Sequence, residues 1–569
     1  MQKKWNIAKP DFLLRQALAD SLNISPVLAQ VFINRGITNV KEAEIFLKPK
    51  MSDMHDPLLI PGMEKAVRRL KEAAAKKEKV FISGDYDVDG VTSCVLFKSV
   101  LKRLGLEPTH YIPHRVKDGY GINKEAVSLA KEQGADLFVS LDCGMTDFSE
   151  IEMLNHLGVD TMIVDHHEPL DTLPKAKIIV NPKIKNSLYP FKELAAVGVV
   201  YKLCRLLCAD NLVDDLDLVS LGTVCDVVPL IDENRIFVKE GLGILSRAKR
   251  PGIKELIKVC GLKGKDINTH MIGFMLGPRL NAAGRVNSAD MSFELLFSSS
   301  HSQAEGLAVR LHNENKKRQA IESGILEEAL AKAQREINFK EHTVIVLDNQ
   351  GWHEGVLGIV ASRISDRFYR PTIIISTNDA LGKGSARSIR DFHILNALSR
   401  CEDMLEFYGG HAYAAGLTIS KENIDKFRLA INKIAREELA SCEMVPVLDI
   451  EAELGLEELD FKFVSALEGL MPFGRGNPLP VFSSCNLIVK GRPKILGKGT
   501  IKFWASDGKI TYPVVGFGMS NMADLVENSE RLDLAYTPSI DSWGMRANGI
   551  SCDDRRAIQL KLVSIKPSI

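Results

Sequence analysis

Short apolar runs alternate with longer amphipathic stretches through the first half of the chain. A basic amphipathic helix starting at about Ala66 precedes the first run, and helical patterns separate the runs that follow. This alternation of strands and helices is typical of a parallel sheet with right-handed crossover connections. The predicted strands are Val80–Ile82, Thr109–Ile112, Leu137–Leu141, Thr161–Val164 and Ile178–Val180.

The pattern changes in the second half of the chain. Residues 301 to 338 are predicted to form one long polar helix, whose length suggests a connector between domains. A second α/β unit follows, with strands at Thr343–Leu347 and Thr372–Ile375 and a helix starting at about Leu357. The last region, from about residue 446, is richer in short strand patterns, which is typical of a small β-barrel. Those strands are Val481–Lys490, Lys502–Ala505, Thr511–Phe517, Leu532–Tyr536 and Ile558–Ile565.

Together these patterns predict a multidomain α/β protein. The first 50 residues are expected to be helical, because Leu14, Leu18 and Leu22 recur at helical spacing. A parallel-sheet domain, a smaller α/β domain joined to it by the long helix, and a C-terminal barrel complete the fold class. The predicted boundaries are 1–50, 51–300, 301–338, 339–445 and 446–569.

Composition narrows the classes of function. The chain has 569 residues, more than one hydrophobic core usually supports, and its formal net charge of +0 gives no global field that would indicate a nucleic-acid partner. The ten cysteines are scattered without a Cys-x-x-Cys pair, which favours reduced thiols in a cytoplasmic protein over disulfides or zinc. No signal-peptide pattern is present at the N-terminus. The most apolar stretch, Leu194–Ala209, contains Lys202 and Arg205, which argues against a membrane span.

Three carboxylates follow the first predicted strand at alternate positions, in Gly84-Asp85-Tyr86-Asp87-Val88-Asp89-Gly90. In a strict strand, Asp85, Asp87 and Asp89 would share one face. Crowded carboxylates repel one another unless a cation neutralises them, so the cluster indicates a metal site. The alternative is an Asp-rich surface turn. An EF-hand is excluded, because the glycine comes too early and no Glu closes a twelve-residue loop.

Further acidic and imidazole groups end the next strands. Asp142 follows Leu137–Leu141, Asp165-His166-His167 follows Thr161–Val164, and Asp226 lies in an apolar setting where an unpaired carboxylate is costly. Each has an ordinary explanation, as a capping Asp or a satisfied structural His. In an open α/β sheet, however, ligands bind at the strand ends. The set together predicts a site for two hard divalent ions, in which one histidine binds metal and the other faces substrate.

The order of these motifs along the chain resembles the DHH phosphoesterase superfamily. Two further segments, Gly277–Arg285 (GPRLNAAGR) and Met471–Pro478 (MPFGRGNP), resemble its RecJ branch, the single-strand-specific DNA exonucleases. Gly409–Gly416 (GGHAYAAG) resembles the DHHA1 domain that accompanies it, and the C-terminal barrel resembles the OB-fold of this family. The resemblance runs essentially end to end, with no motif position lost. Neither Gly497-Lys498-Gly499 nor Gly474-Arg475-Gly476 has the spacing of a nucleotide-binding loop.

The resemblance implies two Mn²⁺ or Mg²⁺ ions and assigns roles to the motif residues. Asp87 or Asp142 would bridge the ions, and His167 would contact the scissile phosphate. Asp89 would take part in catalysis or only hold the turn or a water, and Asp165 would orient His166. The implied metal ligands are Asp85, Asp87, Asp142, His166 and Asp226.

Candidate DNA contacts follow from the same resemblance and from phosphate chemistry. Around the metal domain they are Arg115, Arg279, Asn281 and Arg285. In the second domain Ser385 and Arg387 are expected to form an anion nest within Gly384–Ser388, and Gly410 and His411 a turn that approaches nucleic acid or the facing domain. On the barrel they are Arg492, Lys494, Lys498, Lys502, Phe503 and Trp504. The alternatives are surface salt bridges, a purely structural turn and a solvated charged face.

The resemblance therefore implies a single-strand-specific 5′→3′ DNA exonuclease that releases 5′-mononucleotides in recombination and repair. The implied partners are single-stranded DNA, a single-strand-binding protein and a RecQ-type helicase, with a monomeric chain as the default. One alternative is a DHH phosphodiesterase acting on short oligonucleotides or cyclic dinucleotides, which usually lacks the barrel. Another is a DHH-fold scaffold that binds DNA without catalysis, in which lost ligands would be expected.

Overall fold

The computed structural model describes residues 3–114, 119–208, 212–286, 289–378, 380–497, 499–541 and 555–568. Two predicted DNA contacts, Arg115 and Lys498, lie outside the described residues. None of the cysteines within these ranges forms a disulfide.

The N-terminal segment is mainly helical, as predicted, and its helices start at polar caps. The side chains of Asp11, Ser25 and Asn39 each accept a hydrogen bond from a backbone N–H in the first helical turn. The prediction missed one short strand, which pairs in parallel with residues 447–450. Its partner lies far along the chain, so local sequence gives little signal for it. The elements are β1 Lys4–Ile7, α1 Phe12–Leu22, α2 Pro26–Asn34 and α3 Val40–Leu47.

The next region contains a five-stranded sheet in the order β3-β2-β4-β5-β6, whose neighbouring strands are all parallel. The structure confirms the five predicted strands to within two residues at either end. The elements are α4 Met63–Lys76, β2 Val80–Gly84, α5 Val88–Arg103, β3 Thr109–Tyr111, α6 Lys124–Glu132, β4 Leu137–Leu141, α7 Phe148–His156, β5 Asp160–Val164, β6 Ile178–Val180, α8 Ala196–Leu207, α9 Leu216–Cys225, α10 Asp232–Arg247, α11 Pro251–Val259, α12 Thr269–Met271, α13 Gly277–Val286 and α14 Asp290–Phe297.

The carboxyl ends of three central strands stop at the same level. Gly84 pairs with Leu141, and Leu141 pairs with Val164. The next residue of each strand continues the ladder, because the N–H of Asp142 donates to the carbonyl of Val164 at 3.0 Å and that of Asp165 to Val180 at 3.0 Å. The sheet register therefore brings the predicted acidic strand ends side by side.

The predicted connector is one continuous helix, and a second α/β region follows it. Its five-stranded sheet has the order β10-β11-β9-β8-β7, with β7 and β8 parallel and the other pairs antiparallel. The elements are α15 His301–Glu336, β7 Ile345–Gln350, α16 Leu357–Phe368, β8 Thr372–Thr377, β9 Leu381–Arg387, α17 Ile394–Ser399, β10 Leu405–Gly410, β11 Ala414–Ser420 and α18 Ile424–Glu438.

The C-terminal strands close into a barrel, which confirms the predicted class. The ladder runs β13-β14-β15-β16-β18-β17, and a further pairing of β14 with β17 closes it. Phe503 is only 1% exposed and belongs to the barrel core, so its prediction as a DNA-stacking residue is wrong, whereas Trp504 on the same strand is 48% exposed. The elements are β12 Val447–Ile450, β13 Ala452–Glu453, α19 Phe461–Glu468, β14 Phe482–Leu496, β15 Thr500–Ser506, β16 Thr511–Gly516, α20 Ala523–Asn528, β17 Leu532–Ile540 and β18 Ile558–Pro567.

By their contacts the residues form two compact units. The first, unit 1, combines residues 1–54, 229–239 and 445–569, and the second, unit 2, contains 55–228 and 240–444. In unit 1, Phe32 and Phe46 of the N-terminal helices share one hydrophobic core with barrel residues such as Phe482. The boundaries predicted from the sequence remain a prediction.

A buried arginine ties the three segments of unit 1 together. Arg235 is 1% exposed, and its guanidinium lies 3.8 Å from the centre of the Phe46 ring. It donates hydrogen bonds to the carbonyl oxygens of Phe46, Leu470, Met471 and Pro472 at 2.8–3.3 Å. Part of the Met471–Pro478 motif therefore has a structural role within unit 1.

We expect Arg235→Met to destabilise unit 1 by roughly 3 kcal/mol or more, because each buried carbonyl left without a donor costs about 1 kcal/mol or more. Hydrogen exchange read by mass spectrometry would show faster exchange in residues 470–477 and in the barrel strands. Lys239→Met is the matched control, because Lys239 lies in the same unit and donates to the carbonyl of Leu47, outside the Met471–Pro478 motif. Unchanged protection in Arg235→Met would contradict this role.

Candidate metal centre

The loop after β2 places its three carboxylates differently from the strand geometry that the sequence suggested. Asp87 is the N-cap of α5, and its Oδ1 accepts from the N–H groups of Asp89 and Gly90 at 2.9 and 3.1 Å. Asp89 therefore lies in the first turn of a helix, so the prediction of three carboxylates on one strand face is wrong. A Cβ at Gly90 would lie 2.5 Å from the carbonyl oxygen of Asp85, which explains the glycine.

Asp89 has a partner of its own. Its carboxylate accepts from the backbone N–H groups of Ala196 and Val197 at 2.7 and 2.9 Å, at the start of α8. A negative charge is stabilised at the N-terminus of a helix, where these N–H groups have no partner within the helix. Asp89 thus joins the helices α5 and α8 behind the loop, and this matches the expectation that it holds the turn.

Asp142 has a backbone conformation that is rare outside glycine. Its φ is 65°, in the left-handed region. The N–H of Asp142 donates to Val164, and its carbonyl accepts from the hydroxyl of Tyr120 at 3.2 Å. Hydrogen bonds on both sides of the residue hold this strained conformation, which is common at functional sites.

The two adjacent histidines have different surroundings. Oδ1 of Asp165 accepts from the backbone N–H groups of His166 and His167 at 2.7 and 3.1 Å, and lies 2.8 Å from Nδ1 of His167. Asp165 therefore orients the ring of His167, whereas the sequence had predicted that it orients His166. Nε2 of His166 lies 3.3 Å from Oδ1 of Asp142 and 3.6 Å from Oδ2 of Asp226.

The predicted ligands converge. Among the described residues, three overlapping groups each have one ligand atom per residue within 4.8 Å of the others. The groups are Asp85, Asp87 and Asp142; Asp89, His166 and Asp226; and Asp142, His166 and His167.

The donor set fits a divalent cation. Among the described residues, Oδ1 of Asp142, Oδ2 of Asp226 and Nε2 of His166 are buried and have no hydrogen-bond partner. Buried carboxylate oxygens facing one another are costly unless a cation neutralises them. Several carboxylates with one imidazole suit Mn²⁺ or Mg²⁺ better than they suit a soft metal.

The pKa values of the two histidines shift in opposite directions. Burial raises the pKa of Asp142 and Asp89, and neighbouring carboxylates add to the effect. Burial lowers the pKa of His166, which keeps a neutral imidazole available for metal. Burial also lowers the pKa of His167, but the hydrogen bond and charge of Asp165 outweigh it and bring that pKa to about 9.

Residues that the sequence analysis did not single out complete the site. Tyr120 contacts Asp142 and His167. Asn181, which follows β6, donates to the carbonyl of His167 at 2.9 Å and accepts from the N–H of Lys183 at 2.8 Å. The position of Asn181 after another parallel strand was the available signal.

Helix α13, which carries the GPRLNAAGR motif, packs against the metal-binding loop. A Cβ at Gly284 would lie 3.2 Å from the carbonyl oxygen of Tyr86. Asn281 precedes Gly284 by three positions, on the same side of the helix. Arg285 donates to the carbonyl of Gly355 at 3.0 Å, which links α13 to the segment before α16. Arg279 faces other partners, since it donates to Nδ1 of His312 and to the carbonyl of Met275.

The anion nest predicted around Gly384–Ser388 does not form. These residues belong largely to β9, which pairs with strands on both sides, so their backbone groups are used in the sheet. The side chains of Ser385 and Arg387 lie together, 3.1 Å apart between Oγ and Nη1. Both border Gly358 in the first turn of α16, where a Cβ would lie 2.7 Å from Nη2 of Arg387 and 3.1 Å from Oγ of Ser385.

Gly410 ends β10 at the hairpin with β11, and its φ is 139°. A Cβ there would lie 2.4 Å from the carbonyl oxygen of Ala414 in the same hairpin. The close approach that requires glycine at this position is therefore made within its own hairpin. The N–H of His411 donates to the same carbonyl, and Ala414 pairs with Arg387 of β9. His411 and Arg387 thus lie towards the same end of the sheet.

Three family models match the chain in the order that the sequence motifs suggested. The N-terminal domain of the DHH family matches residues 79–223, the DHHA1 domain matches 341–437 and the RecJ OB domain matches 450–549. The first match covers β2 to β6 and most of the acidic cluster. The fold and the site thus define a protein with the DHH and DHHA1 domains and a C-terminal OB domain.

Curated relatives are similar over nearly the whole chain. The single-stranded-DNA-specific exonuclease RecJ of Bacillus subtilis is 38% identical over 546 residues, which cover 95% of this chain and 69% of that protein. RecJ of Haemophilus influenzae is 33% identical, over 97% of this chain and 98% of that protein. The chain therefore belongs to the RecJ family of single-stranded-DNA-specific exonucleases.

Solved structures of RecJ proteins match the fold of this chain. RecJ from Thermus thermophilus in complex with Mn²⁺ matches with a TM-score of 0.85 and 26% identity, over 100% of this chain and 80% of that one. The Mg²⁺ complex of RecJ from the same organism matches with a TM-score of 0.79 and 25% identity, over 100% and 79%. In the described part of the chain, no helix is both long and apolar enough to cross a membrane.

A charge-removing substitution should test the metal centre through stability. A carboxylate with a raised pKa in the folded state destabilises that state increasingly as the pH rises above about 4, its unfolded pKa. Metal-free Asp142→Asn should therefore be more stable than the wild type, by a margin that grows as the pH rises above about 4. With saturating Mn²⁺ the order should reverse, because ligand binding stabilises the wild type by mass action.

The measurement is the melting temperature of both proteins in EDTA and in Mn²⁺ at several pH values. Asp214→Asn is the control, since that carboxylate is exposed and pairs only with Lys249 among the described ion pairs. An equal Mn²⁺-induced rise in Asp142→Asn and the wild type would contradict the assignment of Asp142 as a ligand.

Proposed function

We propose that the chain is a 5′→3′ exonuclease specific for single-stranded DNA that hydrolyses phosphodiester bonds with two Mn²⁺ or Mg²⁺ ions and releases 5′-mononucleotides. The observation that carries the proposal is the convergence of carboxylates and His166 at the aligned ends of parallel strands. The proposed activity, that of an exonuclease, and the proposed substrate, single-stranded DNA, are those that the names of the RecJ relatives give.

The proposed ligands are Asp85, Asp87, Asp142, His166 and Asp226. These residues would hold two divalent ions, which would supply an activated water and neutralise negative charge at the attacking and leaving oxygens. The water oxygen bonds to phosphorus while the bond from phosphorus to the 3′ oxygen of the terminal nucleotide breaks. The remaining strand therefore keeps a 5′ phosphate, and the same reaction can repeat.

His167 is proposed to contact the scissile phosphate. Asp165 holds its ring by a 2.8 Å contact to Nδ1, and the hydrogen bond and charge of this carboxylate raise the pKa of His167, which favours a protonated imidazole. With Nδ1 facing Asp165, Nε2 is the nitrogen left to donate to an anionic phosphate oxygen. A charged donor fixed before the reaction stabilises the developing charge without reorganisation.

Recognition of the 5′ end, which would set the polarity of the exonuclease, is assigned to the second α/β region. Ser385 and Arg387 lie beside the first turn of α16, where backbone N–H groups favour an anion. Arginine matches the geometry of phosphate oxygens, so this group is a candidate for binding the terminal 5′ phosphate. Arg279, Asn281, Arg285, Gly410 and His411 are proposed to contact the strand between this end and the metal centre, and Arg115 is proposed on sequence alone.

Two alternatives are less well supported. A phosphodiesterase of short oligonucleotides or cyclic dinucleotides has no evident need for the OB domain that matches residues 450–549. A non-catalytic scaffold would not need to keep every predicted ligand within the clusters. By analogy with the family we further propose a cytoplasmic monomer acting in DNA recombination and repair with a single-strand-binding protein and a RecQ-type helicase.

The proposal is tested with purified protein, Mn²⁺ and a 5′-phosphorylated, 3′-labelled oligonucleotide, beside its blunt duplex. We expect a ladder of shortened labelled products from the single strand alone. Immediate release of a labelled mononucleotide would mean attack from the 3′ end and would contradict the proposed polarity. Asp142→Ala should abolish cleavage and retain single-strand binding, which separates catalysis from binding.

Recognition of the 5′ end predicts a substrate-dependent effect of Arg387→Met. Loss of one charge-assisted hydrogen bond, worth about 1.5–3 kcal/mol, should raise KM for 5′-phosphorylated strands about ten-fold or more. KM for 5′-hydroxyl strands should change little. Arg400→Met is the control, because Arg400 pairs with Glu437 and Glu438 on the surface of the same region. An equal effect on both substrates would exclude Arg387 as the residue that recognises the 5′ phosphate.

A further inference from the structure

We propose that Tyr120 is a positioning residue, whose single hydroxyl group holds a metal-binding carboxylate and the phosphate-facing histidine in register. The inference rests on the roles proposed for Asp142 and His167 above. It concerns a residue of the Gly119-Tyr120-Gly121 segment, to which the sequence analysis gave no role.

The first contact of the hydroxyl is to the backbone of Asp142. Tyr120 donates its proton to the carbonyl oxygen of Asp142 at 3.2 Å. Because Asp142 has a φ of 65°, the direction of its side chain depends on keeping an unfavourable backbone conformation. The hydrogen bond from Tyr120 stabilises that conformation on the carbonyl side, while the sheet holds the N–H side. Tyr120 thus aims the Asp142 carboxylate without touching it.

The second contact is to the ring of His167. The hydroxyl oxygen lies 3.2 Å from Nδ1, the nitrogen that faces Asp165, and the two rings meet edge to face with centroids 5.7 Å apart. The same oxygen lies 3.5 Å from Nε2, so it faces the edge of the ring that joins the two nitrogens. Tyr120 and Asp165 together therefore fix the orientation of the imidazole.

The loop of Tyr120 is itself anchored. Gly119 and Gly121 have φ values of 82° and 90°, and the N–H of Ile122 donates to Oδ2 of Asp147 at 2.6 Å. A Cβ at Gly121 would lie 2.6 Å from the same carboxylate oxygen, so glycine is required for the loop to sit on Asp147. This anchor fixes where the hydroxyl of Tyr120 can reach.

The exposure of Tyr120 argues against a role as an ordinary core residue. The residue is 46% exposed, so its ring contributes only part of its area to the hydrophobic core. Its hydroxyl nevertheless contacts groups in the metal centre, Asp142 and His167. The hydroxyl end of the side chain therefore faces the metal centre, whereas a tyrosine with only a structural role would more often bury its ring.

Tyr120→Phe tests the hydroxyl while keeping the ring. Removal of a group that orients metal ligands typically costs about 10–100-fold in metal affinity or activity. We expect the Mn²⁺ concentration at half-maximal thermal stabilisation to rise about ten-fold, and kcat to fall about ten-fold with little change in KM. Tyr111→Phe is the matched control in the same unit, because its hydroxyl accepts a hydrogen bond from Nδ2 of Asn123 at 3.1 Å.

A second pair of variants separates positioning from general stability. Asp147→Ala should reproduce the effect of Tyr120→Phe by releasing the loop, whereas Asp147→Asn keeps an acceptor for Ile122 and should be milder. The double variant Tyr120→Phe with Asp147→Ala should be less than additive, because both act on one contact.

The outcomes distinguish the inference from the function on which it rests. If the wild type does not cleave DNA, the proposed function fails, but the Mn²⁺ titration still measures the effect of Tyr120 on the metal centre. Wild-type Mn²⁺ affinity and kcat in Tyr120→Phe would overturn the inference. A lowered melting temperature without a change in the Mn²⁺ midpoint or kcat would assign Tyr120 a structural role only, and would also overturn it.

Discussion

Mutual repulsion between carboxylates at the ends of β2, β4 and the neighbouring elements is the constraint on which the site depends. The parallel register leaves these groups little freedom to separate, because Gly84, Leu141 and Val164 end at the same level. Burial removes the water that would screen them, and the pKa of Asp142 rises accordingly. A divalent cation relieves this repulsion, and the same cation supports phosphodiester chemistry. The arrangement of the strand ends thus favours metal binding, because a bound cation relieves the repulsion between the carboxylates.

Hydrogen bonds hold the carboxylates of the cluster and their neighbours in place against this repulsion. Asp89 is held by two N–H groups at the start of α8, Asp165 by the backbone and ring of His167, and Asp142 by hydrogen bonds on both sides of its peptide unit. Each anchor is a hydrogen bond to backbone or to a neighbouring side chain, and none of them needs the metal. Asp142, a proposed ligand, is consequently held in place without a cation, which would reduce the reorganisation that binding requires.

The sequence predicted the features that local patterns encode. The five strands of the parallel sheet, the long helix and the barrel strands followed from apolar periodicity, and the clustering of carboxylates with His166 followed from their positions after those strands. It failed where a distant partner decides the structure. The carboxylate of Asp89 could not be placed locally, because its partners, Ala196 and Val197, are more than a hundred positions away. The glycines around Ser385 suggested a nest, but pairing with β8 and β11 makes the segment a strand.

The two adjacent histidines show why residue type alone could not assign roles within the site. His166 and His167 have the same side chain and follow the same strand, β5, yet their pKa values shift in opposite directions. Asp165 makes the difference, because its carboxylate contacts Nδ1 of His167 and only the backbone of His166. In the proposed mechanism, the ring of His166 would offer a lone pair to a cation, and the ring of His167 would donate a proton to a phosphate oxygen. The position of a single carboxylate, that of Asp165, would thereby assign metal binding and substrate binding to neighbouring residues of the chain.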